Sequence, residues 1–63
     1  MKLFGRVNAL EVTKADGELD ILLTVIYATV NDSELDICFR RGTDYVHKTY
    51  EAGAWVKVEE VLQ

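Results

Sequence analysis

An alternating run of thirteen residues constrains the fold more than any other feature of the chain. Residues 18–30, ELDILLTVIYATV, are rich in β-branched side chains, which favour the pleated conformation of a strand over a helix. One face of this strand carries an apolar series: Leu19, Ile21, Leu23, Val25 and Tyr27. The other face begins polar and becomes apolar at Leu22, Ile26 and Val30, and a strand that is apolar on both faces is central or covered on its second side. We therefore expect Leu22 and Ile26 to form an oligomer interface.

Clusters of turn-forming residues separate this strand from its neighbours. Asp16-Gly17 lies between two alternating runs, and Asp-Gly favours a two-residue type I′ turn because both central residues need positive φ. The segment before it changes phase between Ala9 and Leu10, which predicts a bulge, and Gly5 is a second place for a kink. Polar or glycine-containing clusters predict three more turns, at residues 31–34, 42–44 and 52–53.

The remaining segments also have strand character. Residues 45–50 have high β propensity, and residues 55–60 read as a last strand that can end in a short helical turn over 59–63. We therefore predict an all-β, mainly antiparallel fold: a five-stranded meander that forms a small barrel or a strongly bent sheet, with residues 1–63 in a single domain. SH3-like and OB-like barrels are comparisons of architecture only. Alternation in LDICFRR points three side chains inward: Leu35, Ile37 and Phe39.

The small size of the chain predicts self-association. A domain of 63 residues buries only about 60% of the surface of its unfolded chain, so its core is marginal. Domains of this size often add a disulfide, a metal or a partner subunit. With one cysteine and one histidine, the chain forms no internal disulfide and no zinc site of Cys and His ligands. We expect a homo-oligomer, most simply a dimer, without metal or cofactor; a well-packed monomer is the alternative.

Charge is distributed unevenly along the chain. The net charge is −4, yet residues 38–50 carry three basic and one acidic side chain, a net +2. A chain with this balance repels nucleic acid and anionic membranes on average. No apolar run approaches the ~20 residues of a membrane span, and the N-terminal stretch lacks the apolar core of a signal peptide. Together with the lone thiol of Cys38, these features predict a cytoplasmic protein that does not bind membranes.

The stretch CFRRGTDYVHKTY, residues 38–50, is the candidate site because basic and aromatic side chains interleave there. As a surface for a protein partner it uses residue types that often anchor interfaces: Arg40, Arg41 and Tyr45, with Tyr27 and Trp55 elsewhere in the chain. As a surface for single-stranded nucleic acid, cations neutralise phosphates and tyrosines stack on bases. Three cations are few for that purpose, and an ordinary solvated hairpin face is a third interpretation. The nucleic-acid alternative uses Arg40, Arg41, Tyr45, Lys48 and Tyr50.

Catalytic chemistry has little support in the sequence. Cys38 and His47 fall on neighbouring predicted strands, and a Cys–His pair is a known nucleophile and base, but so short a chain leaves little room for a substrate pocket. The paired carboxylates, such as Glu34 and Asp36, read as a solubilising surface or as a mimic of nucleic-acid phosphates.

We therefore predict a non-enzymatic, acidic interaction protein that binds another protein. Compact acidic chains of this kind fit accessory or inhibitory factors of mobile elements that act on a nucleic-acid-handling complex; this step is an association. The alternative is a small β-barrel that binds single-stranded nucleic acid through residues 38–50.

Overall fold

The computed structural model describes residues 1–61 and confirms an all-β, antiparallel fold. Within those residues no helix forms, and so none has the length and apolarity needed to cross a membrane. The strand predicted at 55–60 is present with those bounds, whereas Leu62 and Gln63, the end of the predicted helical turn, lie outside the described residues. The strands are β1 (Lys2–Phe4), β2 (Val7–Lys14), β3 (Leu19–Asn31), β4 (Glu34–Arg41), β5 (Asp44–Tyr50) and β6 (Trp55–Glu60).

The first predicted strand is divided at Gly5, one of the two positions where the sequence predicts an irregularity. β1 and β2 lie in succession along the same neighbour, β3, and the chain bends between them at residues 5–6. The bulge predicted between Ala9 and Leu10 is absent from the pairing of β2 with β3, whose register is continuous there. A glycine interrupts a strand readily because it has no side chain to pack, so the bend falls at Gly5.

The predicted turn positions are correct, but the type I′ turn lies elsewhere. At the β2–β3 turn the N–H of Gly17 donates to the carbonyl of Lys14 at 2.9 Å, and Gly17 alone has positive φ. These are the features of a three-residue hairpin loop that ends in a left-handed residue. Asp32 and Ser33, between β3 and β4, both have positive φ, as a type I′ turn requires.

The last strand lies at the edge opposite to the one that a meander predicts. The sheet order is β5-β4-β3-β2-β6, with β1 paired to β3. After the turn at 51–54 the chain crosses from the β5 edge to the β2 edge, where Val58 pairs with Val12. The sheet has six strands and is not closed. This pairing gives residues 10–14 of β2 hydrogen-bonding neighbours on both edges and places Val58 beside Val12, which is fully buried.

The core forms on one face of the bent sheet, and two irregularities in β3 decide which residues enter it: the positive φ of Thr24 and the shift of register against β4 between Val25 and Tyr27. Thr24 has a φ of 55°, and Leu22 and Val25 both join the core although simple alternation would separate them. The prediction that Leu19, Ile21, Leu23, Val25 and Tyr27 share one face is therefore wrong, because of these five only Val25 is in the core. Leu22 is only 8% exposed, whereas Ile21 is 50% exposed. The inward side chains predicted for β4 are confirmed. The core cluster comprises Leu10, Val12, Leu22, Val25, Ala28, Leu35, Ile37, Phe39 and Tyr50.

Candidate functional site

The outer face of β3, β4 and β5 gathers most of the conspicuous side chains of the candidate stretch. Strand register sets Arg40 opposite Tyr45, Cys38 opposite His47, and Tyr27 opposite Cys38. Directly opposed residues in antiparallel strands point to the same side of the sheet. We call this surface, made of Tyr27, Cys38, Arg40, Tyr45 and His47, the aromatic–basic face.

Short-range contacts order the aromatic–basic face. The rings of Tyr27 and His47 lie 6.2 Å apart at an angle of 60°, within the tilted geometry that aromatic pairs prefer. The Nδ1 atom of His47 lies 3.9 Å from Oδ1 of Asp36. The Nε of Arg40 donates to the carbonyl of Gly42 at 2.7 Å, which holds the guanidinium beside its own turn. Tyr45 has 64% of its surface exposed and is open to a partner.

Tyr27 is a half-buried residue of the aromatic–basic face. Loss of contact with water raises the pKa of Tyr27 above its ordinary value, and the neighbouring Cys38 adds to this rise. The tyrosine hydroxyl therefore stays protonated, as a hydrogen-bond donor, over the physiological pH range.

Cys38 and His47 lie directly opposite each other in β4 and β5, and the thiol is buried. Cys38 is only 5% exposed, and within residues 1–61 no hydrogen bond joins its thiol to the imidazole of His47. A nucleophile must reach its substrate and lie within hydrogen-bond reach of its base. Cys38 is therefore interpreted as a small residue that packs in the sheet.

The residues predicted to bind nucleic acid are divided between two faces. Arg40 and Tyr45 lie on the outer face, whereas the alternation of β5 places Lys48 and Tyr50 on the inner side, opposite Ile37 and Leu35. Tyr50 is buried, and its hydroxyl donates to Oδ2 of Asp20 at 2.7 Å. Its ring therefore cannot serve as a platform for a base.

Asp20, Tyr50 and two lysines form a polar clasp between β3 and β5. The Nζ atoms of Lys14 and Lys48 lie 3.8 and 3.7 Å from the carboxylate of Asp20, and the Lys48 ammonium lies 5.5 Å from the centre of the Tyr50 ring. The hydrogen bond from Tyr50 lowers the pKa of Asp20, and the two lysines lower it further against the effect of burial. The pKa of Tyr50 is raised, first by burial and then by this carboxylate.

Two other predicted positions lie away from the aromatic–basic face. Trp55 packs against the core, half-buried, and its Nε1 donates to the carbonyl of Ser33 at 2.9 Å. Leu22 is in the core, so in a single chain its side chain is not on the surface. Ile26 is half-buried and lines a recess of about 230 Å³ together with Arg6.

A groove that the sequence does not reveal lies beside the candidate stretch. It encloses about 400 Å³ and has residues 21–24 of β3 on one side and residues 39–41 with Lys48 on the other. The groove exists because β4 separates from β3 beyond the pair Val25 and Phe39. Thr24, which has positive φ, lines this groove, and alternation in the sequence shows neither that φ nor the separation of the two strands.

The described residues hold no group of three or more histidine, cysteine or acidic side chains able to bind a metal ion. No protein-family model, curated protein or solved structure matches this chain.

Proposed function

We propose that this protein is a non-enzymatic binding module whose aromatic–basic face engages another protein. The observation that carries the proposal is the placement of Tyr27, Arg40 and Tyr45 on one exposed, ordered side of three adjacent strands. Tyrosine and arginine are enriched at the centres of protein interfaces, where they combine a large contact area with hydrogen bonding.

The same arrangement supports a protein partner more strongly than a nucleic acid. A nucleic-acid surface gains affinity from many phosphate contacts, whereas only Arg40 among the proposed cations lies on the aromatic–basic face with an exposed tyrosine. Tyr50 is buried against Asp20, which removes one of the two proposed stacking platforms. The net charge of −4 favours partners with basic surfaces through electrostatic steering.

We further infer a cytoplasmic setting from the single free thiol of Cys38, and an accessory or inhibitory role remains part of the proposal. The homodimer predicted from chain length, with Ile26 in its interface, is a prediction that sedimentation velocity tests. A monomer at micromolar concentration would refute it.

The test is affinity capture of the tagged protein from its source lysate, with and without nuclease, using three forms of the chain. The variant Arg40→Ala/Tyr45→Ala removes two exposed members of the aromatic–basic face, and Arg6→Ala is the matched control outside it. We expect a stoichiometric protein partner that survives nuclease, is lost with the double variant and is retained by Arg6→Ala. Capture that disappears with nuclease would favour the nucleic-acid alternative, and a partner that ignores the double variant would refute this site.

A further inference from the structure

One edge of the first half of β3 has no neighbouring strand. Residues 19–23 pair with β2 on one side, and on the other side the pairing with β4 begins only at Val25. Within residues 1–61, no hydrogen bond from elsewhere in the chain reaches the backbone groups of this second edge. Exposed edges of this kind are templates for pairing with another strand.

The direction of the free backbone groups follows from the hairpin. The N–H of Lys14 donates to the carbonyl of Glu18 at 2.8 Å, and hydrogen-bonded pairs recur every second residue in an antiparallel ladder. Asp20 and Leu22 therefore direct their N–H and C=O groups toward β2. The residues between them direct theirs to the free edge: Leu19, Ile21 and Leu23.

The groove along this edge is apolar on its β3 side and basic on the opposite side. Ile21 and Leu23 are 50% and 57% exposed on the β3 side, and the opposite side carries Arg40, Arg41 and Lys48. No carboxylate lines the groove. Lys48 already lies beside Asp20, whereas Arg40 and Arg41 form no ion pair within residues 1–61. Although the protein as a whole is acidic, this groove can therefore bind a negatively charged ligand.

We propose that the free edge of β3 takes an extended acidic segment of another protein as an added strand. Backbone hydrogen bonds to Leu19, Ile21 and Leu23 supply affinity, and alternate side chains supply specificity, as in other cases of strand addition. One set of alternate side chains is apolar and packs on Ile21 and Leu23. The other set is carboxylate and faces Arg41. This inference goes beyond the proposed function, because the groove shares only Arg40 with the aromatic–basic face.

The first experiment measures amide hydrogen exchange by NMR with a seven-residue probe peptide of alternating glutamate and valine. In the free protein, the amides of Leu19, Ile21 and Leu23 exchange faster than that of Leu22. With the peptide at ten times its Kd, mass action slows those three amides about tenfold and leaves Leu22 unchanged. Two control peptides decide the mode: one with lysine for glutamate, and one N-methylated at alternate residues to remove its backbone donors.

Each outcome decides the proposal. Loss of protection with both control peptides supports strand addition of an acidic segment. Equal protection by the N-methylated peptide would refute backbone pairing, and equal protection by the lysine peptide would refute the charge selection. Protection that appears without peptide as protein concentration rises would assign the edge to a second copy and also overturn the proposal.

Two single charge-reversal variants test the basic side of the groove. We expect Arg41→Glu to weaken binding of the glutamate–valine peptide by about tenfold or more, because it places like charges together. Arg6→Glu makes the same change in net charge outside the groove and should have a much smaller effect. Equal weakening by both variants would show that only the long-range field matters. The single variant Tyr45→Ala tests the aromatic–basic face separately, because Tyr45 does not line the groove, so either site can fail alone.

Discussion

Replacing Tyr50 with phenylalanine tests how β5 is held against the first half of β3. The substitution keeps the buried ring and removes only the hydroxyl that donates to Asp20 at 2.7 Å. In the variant, the Asp20 carboxylate keeps the ammonium groups of Lys14 and Lys48 nearby, so its charge is still paired. The variant therefore measures one hydrogen bond and leaves no large cavity.

The magnitude follows from the charge and burial of the pair. A hydrogen bond to a charged group contributes about 1.5–3 kcal/mol, and the Asp20 side chain is 24% exposed, which favours the lower end of that range. We expect Tyr50→Phe to lower the free energy of unfolding by about 1.5 kcal/mol. For a domain of this size, each kcal/mol corresponds to about 4–8 °C, so Tm should fall by about 6–12 °C.

The loss should depend on pH in a defined direction. The pKa of folded Asp20 lies below its ordinary value of 3.8, so its ionised form favours the folded state. This stabilisation is fully present above pH 3.8 and is lost as pH falls through the lower, folded pKa. The difference between the wild type and Tyr50→Phe should therefore be largest near pH 7 and shrink in strong acid.

Thermal unfolding followed by circular dichroism, from pH 7 to pH 2, measures both effects. Tyr45→Phe is the matched control, because this hydroxyl is exposed and makes no hydrogen bond within residues 1–61; its Tm should change by no more than a few degrees. A Tm of Tyr50→Phe that equals that of Tyr45→Phe would refute the clasp. A difference that grows in acid would refute the assignment to the ionised carboxylate.

Three further substitutions test the fold, each by urea unfolding. Thr24→Gly should stabilise the protein by about 0.5–1 kcal/mol: relief of the positive φ gains about 1–2 kcal/mol, and the greater chain entropy of unfolded glycine offsets part of that gain. Destabilisation would refute backbone strain at Thr24. Ile37→Val should cost about 0.5–1.5 kcal/mol, since the side chain is fully buried, and no loss would argue against this core. Trp55→Phe should cost about 0.5–1.5 kcal/mol for the bond to Ser33, and an unchanged midpoint would show that this bond contributes nothing.

Part of the candidate site can be predicted from the sequence and part cannot. Alternation across the turn at Gly42 is local, so the sharing of one side by Arg40 and Tyr45 can be predicted from their spacing. The burial of Tyr50 cannot, because it depends on Asp20, thirty residues away. The groove likewise requires β4 to separate from β3, which no local pattern shows.

The sequence by itself determines the strands and the places where they turn. Period-two alternation and glycine or polar turn residues act over a few residues, and they place the strand at 55–60 and the inward side of β4 correctly. Tertiary structure alone decides that β6 pairs with β2 and that Leu22 faces the core. The physical reason is that edge pairing depends on backbone groups far apart in the chain, and that the left-handed residue Thr24 brings Leu22 and Val25 to the same side of the sheet, although alternation would separate them.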